Sequence, residues 1–165
     1  MYKIIIHLAF TLLTCLTAIG QEKGICKKNV SITIQNFIKT NYATAKHLNY
    51  YKEQDKGNTF IECEFKVEKV EYSLKFVADS LFETEISMAF ADIPAYQQKL
   101  IKSNLDSLYA NYKVLECQEV NPKTNPHYEI NIKTKSDNYF ELFYNKEGTL
   151  IRKNAVIIKP ISSQF

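Results

Sequence analysis

Two carboxylates, Glu62 and Glu64, are the residues whose type and spacing come closest to a catalytic pair. They alternate with Ile61, Cys63 and Phe65, so a strand would place both carboxylates on one face. Such a pair can supply the acid and the nucleophile or base of glycoside hydrolysis. The same pattern is typical of a solvated strand face whose charges prevent aggregation. We favour the second interpretation and predict no catalytic residue here.

Other catalytic motifs are missing from the sequence after residue 20. His47 and His127 stand in no HxxxH or HExxH spacing and the cysteines form no cluster, so no zinc site is expected. There is no GxSxG motif, and the few glycines are too scattered for a phosphate-binding loop. His127 beside Cys63 or Cys117 would form a nucleophilic pair, but no spacing brings them together. We expect no enzymatic activity, no cofactor and no metal.

The first twenty residues have the form of an export signal. Lys3 supplies a short positive end, Ile4–Leu16 an apolar run, and Ala18–Gly20 small residues before Gln21. The sequence therefore predicts a signal peptide at residues 1–20 and export to the periplasm or the medium. A membrane anchor is the alternative, although the uncharged stretch is barely long enough to cross a bilayer.

The cysteines leave two questions open. Lipoprotein anchoring at Cys15, through the stretch Leu12–Cys15, is a less favoured alternative to simple export. Removal of the signal would leave Cys26, Cys63 and Cys117, so that one disulfide and one free thiol are feasible in an oxidising compartment. Cys63 and Cys117 lie in strand-like runs, where buried small apolar residues are equally expected.

Composition favours a folded, strand-rich chain. Removal of 20 of the 165 residues leaves 145 (165 − 20), enough for one compact domain or two half-domains sharing a core. The net charge of +3, with acidic and basic residues interleaved, is too small to indicate a nucleic acid or an anionic membrane as partner. Tyr and Phe number 11 and 10 against 4 each of Gly and Pro, which favours strands over disorder.

One short stretch occurs twice. Phe37–Tyr42 returns as Leu100–Leu105, with Ile38 and Ile101 separated by 63 positions (101 − 38). That period is longer than those of common solenoids and predicts a duplicated half-domain. The predicted division is a signal peptide at 1–20, a lead-in at 21–28, and repeats at 29–91 and 92–165.

Each repeat is predicted to begin with a helix. In the second, Asp92–Pro94 places a capping acid and an early proline before one apolar face. Asn29 is the matching cap in the first.

Alternating segments follow each helix and predict four antiparallel strands per repeat. The strands are predicted at Lys46–Gln54, Phe60–Val67, Tyr72–Phe76, Leu81–Phe90, Asn111–Val120, Tyr128–Lys133, Tyr139–Tyr144 and Thr149–Ile158. The predicted fold class is α+β, a tandem duplication of a helix plus a four-stranded antiparallel sheet, with both helices on one face and the halves side by side. The residues expected beneath the helices are Ile61, Phe65, Leu74, Phe76, Ile130, Ile132 and Leu142.

The order of these elements resembles a known family. A helix that exits through Asn41–Lys46, strands that turn at Asp79–Leu81, and a second copy that turns at Asn145–Leu150 are similar to PepSY-like proteins with a beta-lactamase-inhibitor-protein-like fold. This exported group is common in Bacteroidetes, and the resemblance covers Asn29–Val156. It implies a binding protein: the beta-lactamase inhibitor protein clamps an enzyme with the sheet face opposite its helices, and PepSY domains are thought to restrain peptidases.

The favoured function is a protein or peptide partner held on the sheet face away from the helices. That face is expected to stay wet, with Phe143 as an apolar anchor ringed by charge. The candidate residues are Glu62, Glu64, Lys66, Lys75, Val77, Lys133, Glu141 and Phe143. The alternatives are a plain soluble surface, and a site for a small ligand or cell-envelope component that stacks on Tyr50, Tyr51, Tyr112 and Tyr139.

Overall fold

The computed structural model describes residues 23–55 and 57–156. The predicted signal peptide at 1–20, including Cys15, lies outside the described residues. Among the described residues, no helix is both long and apolar enough to cross a membrane. These described residues form two α-helices and nine strands: β1 (Lys23–Gly24), α1 (Ile32–Asn41), β2 (Lys46–Asp55), β3 (Asn58–Val67), β4 (Val70–Val77), β5 (Ser80–Ser87), α2 (Ala95–Leu108), β6 (Tyr112–Pro122), β7 (His127–Thr134), β8 (Tyr139–Asn145) and β9 (Leu150–Val156).

The strands form one antiparallel sheet in which they neighbour one another in chain order. The predicted tandem of two four-stranded sheets is therefore wrong. The two groups of strands are joined because β5 pairs with β6, from Glu83 opposite Pro122 to Ser87 opposite Gln118. Separate sheets would leave both strands as open edges, which natural proteins avoid. Strand alternation in the sequence carries no information about which edges meet.

The helix starts differ from the predicted ones. Ser31, not Asn29, caps α1, because its hydroxyl accepts a hydrogen bond from the backbone amide of Ile34 at 3.2 Å. Asn29 ends a short 3₁₀ turn. Asp92 likewise closes a 3₁₀ turn by accepting from the amide of Ala89 at 3.1 Å, and α2 begins after it.

Both helices cover the same kind of surface, the apolar side of the strands. Ile34 and Ile38 of α1 pack into a cluster with side chains of β2, β3 and β4. Ile101 and Leu105 of α2 pack into a second cluster with β6, β7 and β8. The predicted burial is confirmed for Phe65, Leu74, Phe76, Ile130, Ile132 and Leu142, whereas Ile61 is only partly buried.

The cysteines of the described residues are free. Cys63 and Cys117 lie in the two apolar clusters, and Cys26 is exposed. Burial, and then the charge of Glu62, raises the pKa of the Cys63 thiol to about 12. Burial, and then the charge of Glu116, likewise raises the pKa of the Cys117 thiol to about 12. Both thiols are therefore protonated and unreactive at neutral pH.

The turn between β8 and β9 depends on a glycine. Gly148 has a φ of +84°, and a Cβ at this position would lie 3.2 Å from both the Gln97 carbonyl oxygen and the Leu100 Cβ of α2. Gly57, in the turn between β2 and β3, has a φ of +81° but open space around it. Both turns therefore use a backbone conformation that favours glycine, but a helix approaches only the turn at Gly148.

We expect Gly148→Ala to lower the free energy of unfolding by about 2 to 3 kcal/mol, because it adds a steric conflict to the unfavourable backbone conformation. Gly57→Ala should cost about 1 kcal/mol, from the backbone alone. Urea unfolding of both variants measures the difference. Equal losses would show that α2 does not press against this turn.

Candidate functional site

The register of the strands defines the helix-free face, which is the side of the sheet opposite the helices. Residues directly opposite one another on paired strands share a face. Glu62 lies opposite Lys75, and Lys75 opposite Glu83. In the neighbouring row Glu64 lies opposite Ser73, and Ser73 opposite Glu85. The helix-free face continues across the other half of the sheet, because Glu85 lies opposite Val120 of β6 and the pairing extends from there to β7, β8 and β9.

Every predicted candidate residue projects from this helix-free face, but its expected exposure is wrong in three cases. The side chains of Glu62, Glu141 and Phe143 are 2%, 6% and 3% exposed. Lys66 is exposed and forms an ion pair with Glu71. The remaining candidates, Glu64, Lys75, Val77 and Lys133, are partly buried. The helix-free face is thus a packed layer and not a row of solvated side chains.

The carboxylates of this layer have specific partners. Ser73 donates to Glu62 Oε1 at 2.6 Å. Asn131 donates to Glu116 Oε2 at 2.9 Å, and Asn154 donates to Glu141 Oε2 at 3.1 Å. These donors are neutral, so they hold the carboxylates in place without cancelling their charge.

Lys75 lies among carboxylates at the centre of β4. Its Nζ lies 3.6 Å from Glu53 Oε2 and 3.9 Å from Glu83 Oε1. Burial alone would lower the pKa of Lys75, but Glu62, Glu85, Glu83 and Glu53 together raise it above its usual value. Lys75 therefore stays charged and balances part of the negative charge.

A partly open cavity of about 150 Å³ lies in the neighbouring row of the face, between Glu64 and Glu85. We call it the Glu64–Glu85 pocket. Asn49, Ser73 and Gln118 also line it. The Ser73 hydroxyl is turned to Glu62, so it does not bond to either carboxylate of the pocket.

The two carboxylates of the pocket are held in an unfavourable setting. Burial, and then the charge of Glu62, raises the pKa of Glu64, although a hydrogen bond from Tyr51 opposes the rise. Glu64 Oε1 is buried and has no hydrogen-bond donor among the described residues. Burial raises the pKa of Glu85 well above its usual value of 4.5, against the opposing charge of Lys75.

The far end of the helix-free face is closed by a stack of side chains. Phe143 packs against His127, with ring centroids 5.8 Å apart, and the Arg152 guanidinium carbon lies 3.6 Å from the Phe143 ring centre. His127 is hydrogen-bonded to Glu129 Oε1 and to the carbonyl of Asn125, both at 3.0 Å. Burial alone would lower the pKa of His127, but these contacts raise it above its usual value. Phe143 is therefore a structural residue of the layer.

The nucleophilic pair considered from the sequence is not formed. Cys63 and Cys117 lie on the helix side of the sheet, whereas His127 lies on the helix-free face opposite Val120. Within residues 23–55 and 57–156, no group of three or more His, Cys, Asp or Glu residues is arranged to hold a metal ion.

The predicted tyrosine platform is not assembled either. Tyr50 lies in the apolar cluster of α1, and Tyr51, its neighbour in β2, points to the other face. Tyr112 packs with the cluster of α2 and donates to Asp106 Oδ1 at 2.9 Å. Tyr139 is on β8, six strands from β2. The four rings therefore cannot stack on one ligand.

Sequence reasoning missed Glu85 and Phe82. Glu85 lies in a predicted strand, and its alternation with Thr84 and Ile86 was the available signal. A β-bulge hid the placement of Phe82: Lys75 pairs with Glu83 and the next residue of β4 pairs with Leu81, which leaves Phe82 as the inserted residue. Phe82 is 40% exposed.

Comparison with known proteins identifies the fold. No family model matches the chain, and no curated protein matches it. Several solved structures do match. A BLIP-like protein from Bacteroides fragilis is 16% identical, with a TM-score of 0.60, over 80% of this chain and 90% of that chain. A DUF2874 family protein from Bacteroides uniformis is 14% identical, with a TM-score of 0.64, over 77% and 90%.

The chain has a BLIP-like fold. A third match, a protein proposed to be periplasmic from Bacteroides eggerthii, is 16% identical with a TM-score of 0.65, over 76% of this chain and 88% of that chain. At these identities the likeness extends to the fold alone. The BLIP-like part of the family resemblance is thereby supported, while the PepSY-like part stays a prediction.

We expect Glu85→Gln to stabilise the protein at pH 7. A carboxyl group whose pKa is raised on folding binds more protons in the folded state, so its contribution to stability falls as pH rises above about 4.5. The neutral amide avoids this loss of stability. The melting temperature at pH 7 should therefore rise by about 2 to 4 °C for each kcal/mol gained in the free energy of unfolding. At pH 4 the advantage should shrink, because Glu85 is then protonated in the folded protein.

Glu147→Gln, in the exposed turn between β8 and β9, is the matched control and should leave the melting temperature unchanged at both pH values. A Glu85→Gln protein that melts below the unaltered chain at pH 7 would contradict the assignment of Glu85 as a destabilising carboxylate.

Phe143→Ala tests the stack at the far end. We expect a loss of about 3 kcal/mol, because a ring that is 3% exposed is removed from between His127 and Arg152. The melting temperature should fall by about 6 to 12 °C. An unchanged melting temperature would contradict the structural role of Phe143 and favour the exposed anchor predicted from the sequence.

Proposed function

We propose that the chain is an exported, non-catalytic binding protein that holds a partner protein on its helix-free face. The observation that carries this proposal is the burial of carboxylates there, with Glu62 2% and Glu141 6% exposed. Burying charge is unfavourable unless it is paired. Glu62 accepts a hydrogen bond from the neutral Ser73 hydroxyl, and the single positive charge of Lys75 opposite it is shared with other carboxylates. A face that served only solubility would keep these groups in water. Retaining them at a loss of stability is typical of functional sites.

The size of the Glu64–Glu85 pocket favours a protein partner over a small molecule. Small-ligand sites are clefts of roughly 300 to 1,000 Å³. The pocket here measures only about 150 Å³. That space suits a single side chain projecting from a larger surface.

An exposed aromatic beside the helix-free face provides an apolar anchor. Phe82 contacts Phe60, with ring centroids 5.6 Å apart, and Phe60 lies opposite Val77 on the helix-free face. Glu83, which follows Phe82, interacts with Lys75. An aromatic residue beside ordered charges is a common form of binding hot spot. Phe82 thus takes the role that the sequence analysis gave to Phe143.

The comparisons support the same proposal. The matched structures include a BLIP-like protein and one proposed to be periplasmic. By analogy with the inhibitor fold, the partner is an enzyme or a peptidase, and the module restrains it. Export through the predicted signal peptide would bring the chain to that partner in the periplasm.

The proposal is tested with two exposed apolar residues on opposite sides of the sheet. Phe82, 40% exposed, lies by the helix-free face, and Ile32, 67% exposed, lies on α1. A chain starting at Gln21, which contains every described helix and strand, is used to capture a partner from a cell-envelope extract. The identified partner is then purified for binding measurements by calorimetry.

We expect Phe82→Ser to weaken that binding by about 10- to 100-fold, which corresponds to roughly 1.4 to 2.8 kcal/mol. Ile32→Ser should leave the affinity unchanged, and neither variant should lower the melting temperature by more than a few degrees. Loss of binding in Ile32→Ser, or full binding in Phe82→Ser, would place the interface elsewhere.

A further inference from the structure

We propose that the Glu64–Glu85 pocket receives an arginine side chain of the partner. This inference rests on the proposed function and specifies the chemistry of the partner at one point. It starts from the arrangement of four neighbouring strands, which place Asn49, Glu64, Ser73 and Glu85 in one row across the helix-free face.

The row leaves a gap between two carboxylates. Glu64 and Glu85 rise from strands on either side of β4, so their backbones are about 10 Å apart at the usual strand spacing. The residue between them is Ser73, whose short side chain is already bonded to Glu62 at 2.6 Å. Two long acidic side chains therefore flank a space that Ser73 does not fill.

Two acceptor oxygens beside this space are open to a further donor. Glu64 Oε1 is buried without a donor among the described residues. Gln118 donates its amide to Glu116 Oε1 at 3.1 Å, which leaves its carbonyl oxygen as a further acceptor. An occupant that brings several N–H groups would satisfy these atoms.

The charge of the space also favours a cation. The pocket lining holds three carboxylates, Glu64, Glu71 and Glu85, and one lysine, Lys66, which pairs with Glu71. Lys75, in the next row of the face, pairs with Glu53 and Glu83. The pocket is therefore an acidic site in a chain whose overall formal charge is +3. Such local reversal of charge selects partners electrostatically.

Arginine fits better than the other cations. A metal ion needs several convergent ligands, and in residues 23–55 and 57–156 no suitable group of three is formed. The guanidinium group has five donors in a planar fork, so it can reach both carboxylates and an amide oxygen at once. Lysine, with a compact ammonium, would satisfy fewer of these acceptors.

The inference is tested with short peptides of defined sequence. The probe is acetyl-Gly-Ser-Arg-Ser-Gly-amide, titrated into the ¹⁵N-labelled chain starting at Gln21 and followed by backbone amide chemical shifts. The controls replace its arginine by citrulline, which keeps the shape but removes the charge, and by lysine. We expect saturable shifts centred on Glu64, Ser73 and Glu85, with a dissociation constant of roughly 1 to 10 mM.

The citrulline peptide should produce no saturable shift, and the lysine peptide should bind at least about threefold more weakly than the arginine peptide. The chain carrying both Glu64→Gln and Glu85→Gln should bind the arginine peptide at least about tenfold more weakly. Glu147→Gln, in the exposed turn, should bind it as the unaltered chain does.

Three results would overturn the inference: no saturable shift with the arginine peptide, equal binding of the citrulline peptide, or displacement of the peptide by Ca²⁺ with the same amides shifted. Its failure is distinguishable from failure of the proposed function. If Phe82→Ser abolishes partner binding while the double glutamate variant keeps it, the interface is right and the arginine subsite is wrong. If the arginine peptide binds this pocket while the Phe82→Ser chain still binds the partner, the arginine subsite is right and the proposed interface is wrong.

Discussion

The pairing of β5 with β6 is the constraint on which the rest of the molecule depends. It turns two groups of four long strands into one sheet, so the side without helices becomes a single continuous surface. It also supplies a wall of the Glu64–Glu85 pocket, because Gln118 reaches that pocket from β6. The two apolar clusters, one under each helix, could form without this pairing, but the candidate site could not.

The two faces of the sheet contribute differently to the stability of the fold. On the helix side, isoleucine, leucine and aromatic side chains bury their surface and supply the stability of the fold. The other side carries carboxylates that burial makes less acidic, among them Glu64, Glu83, Glu85 and Glu116. The apolar burial on the helix side thus offsets the unfavourable burial of carboxylates on the other side.

The sequence carries enough information to place the strands and their inward-facing residues, since the alternation through Ile61, Cys63 and Phe65 depends only on the period of a strand. It also assigned Glu62 and Phe143 to the correct face. Their burial was not predictable, because it depends on Ser73 and Arg152, which reach them from neighbouring strands. The joining of the two groups of strands, and the bulge at Phe82, depend on pairings between distant segments and leave no local signal.

The bulge has an evolutionary consequence. Phe82 is one residue more than β4 requires, and Leu81 and Glu83 on either side of it already pair with adjacent residues of that strand. Deleting this single codon would restore a regular ladder and remove the exposed aromatic, with Leu81 still facing the helix and Glu83 still facing the other way. A lineage could therefore gain or lose this exposed aromatic in one step without changing the core. Under the proposed function, the choice of partner could change much faster than the architecture.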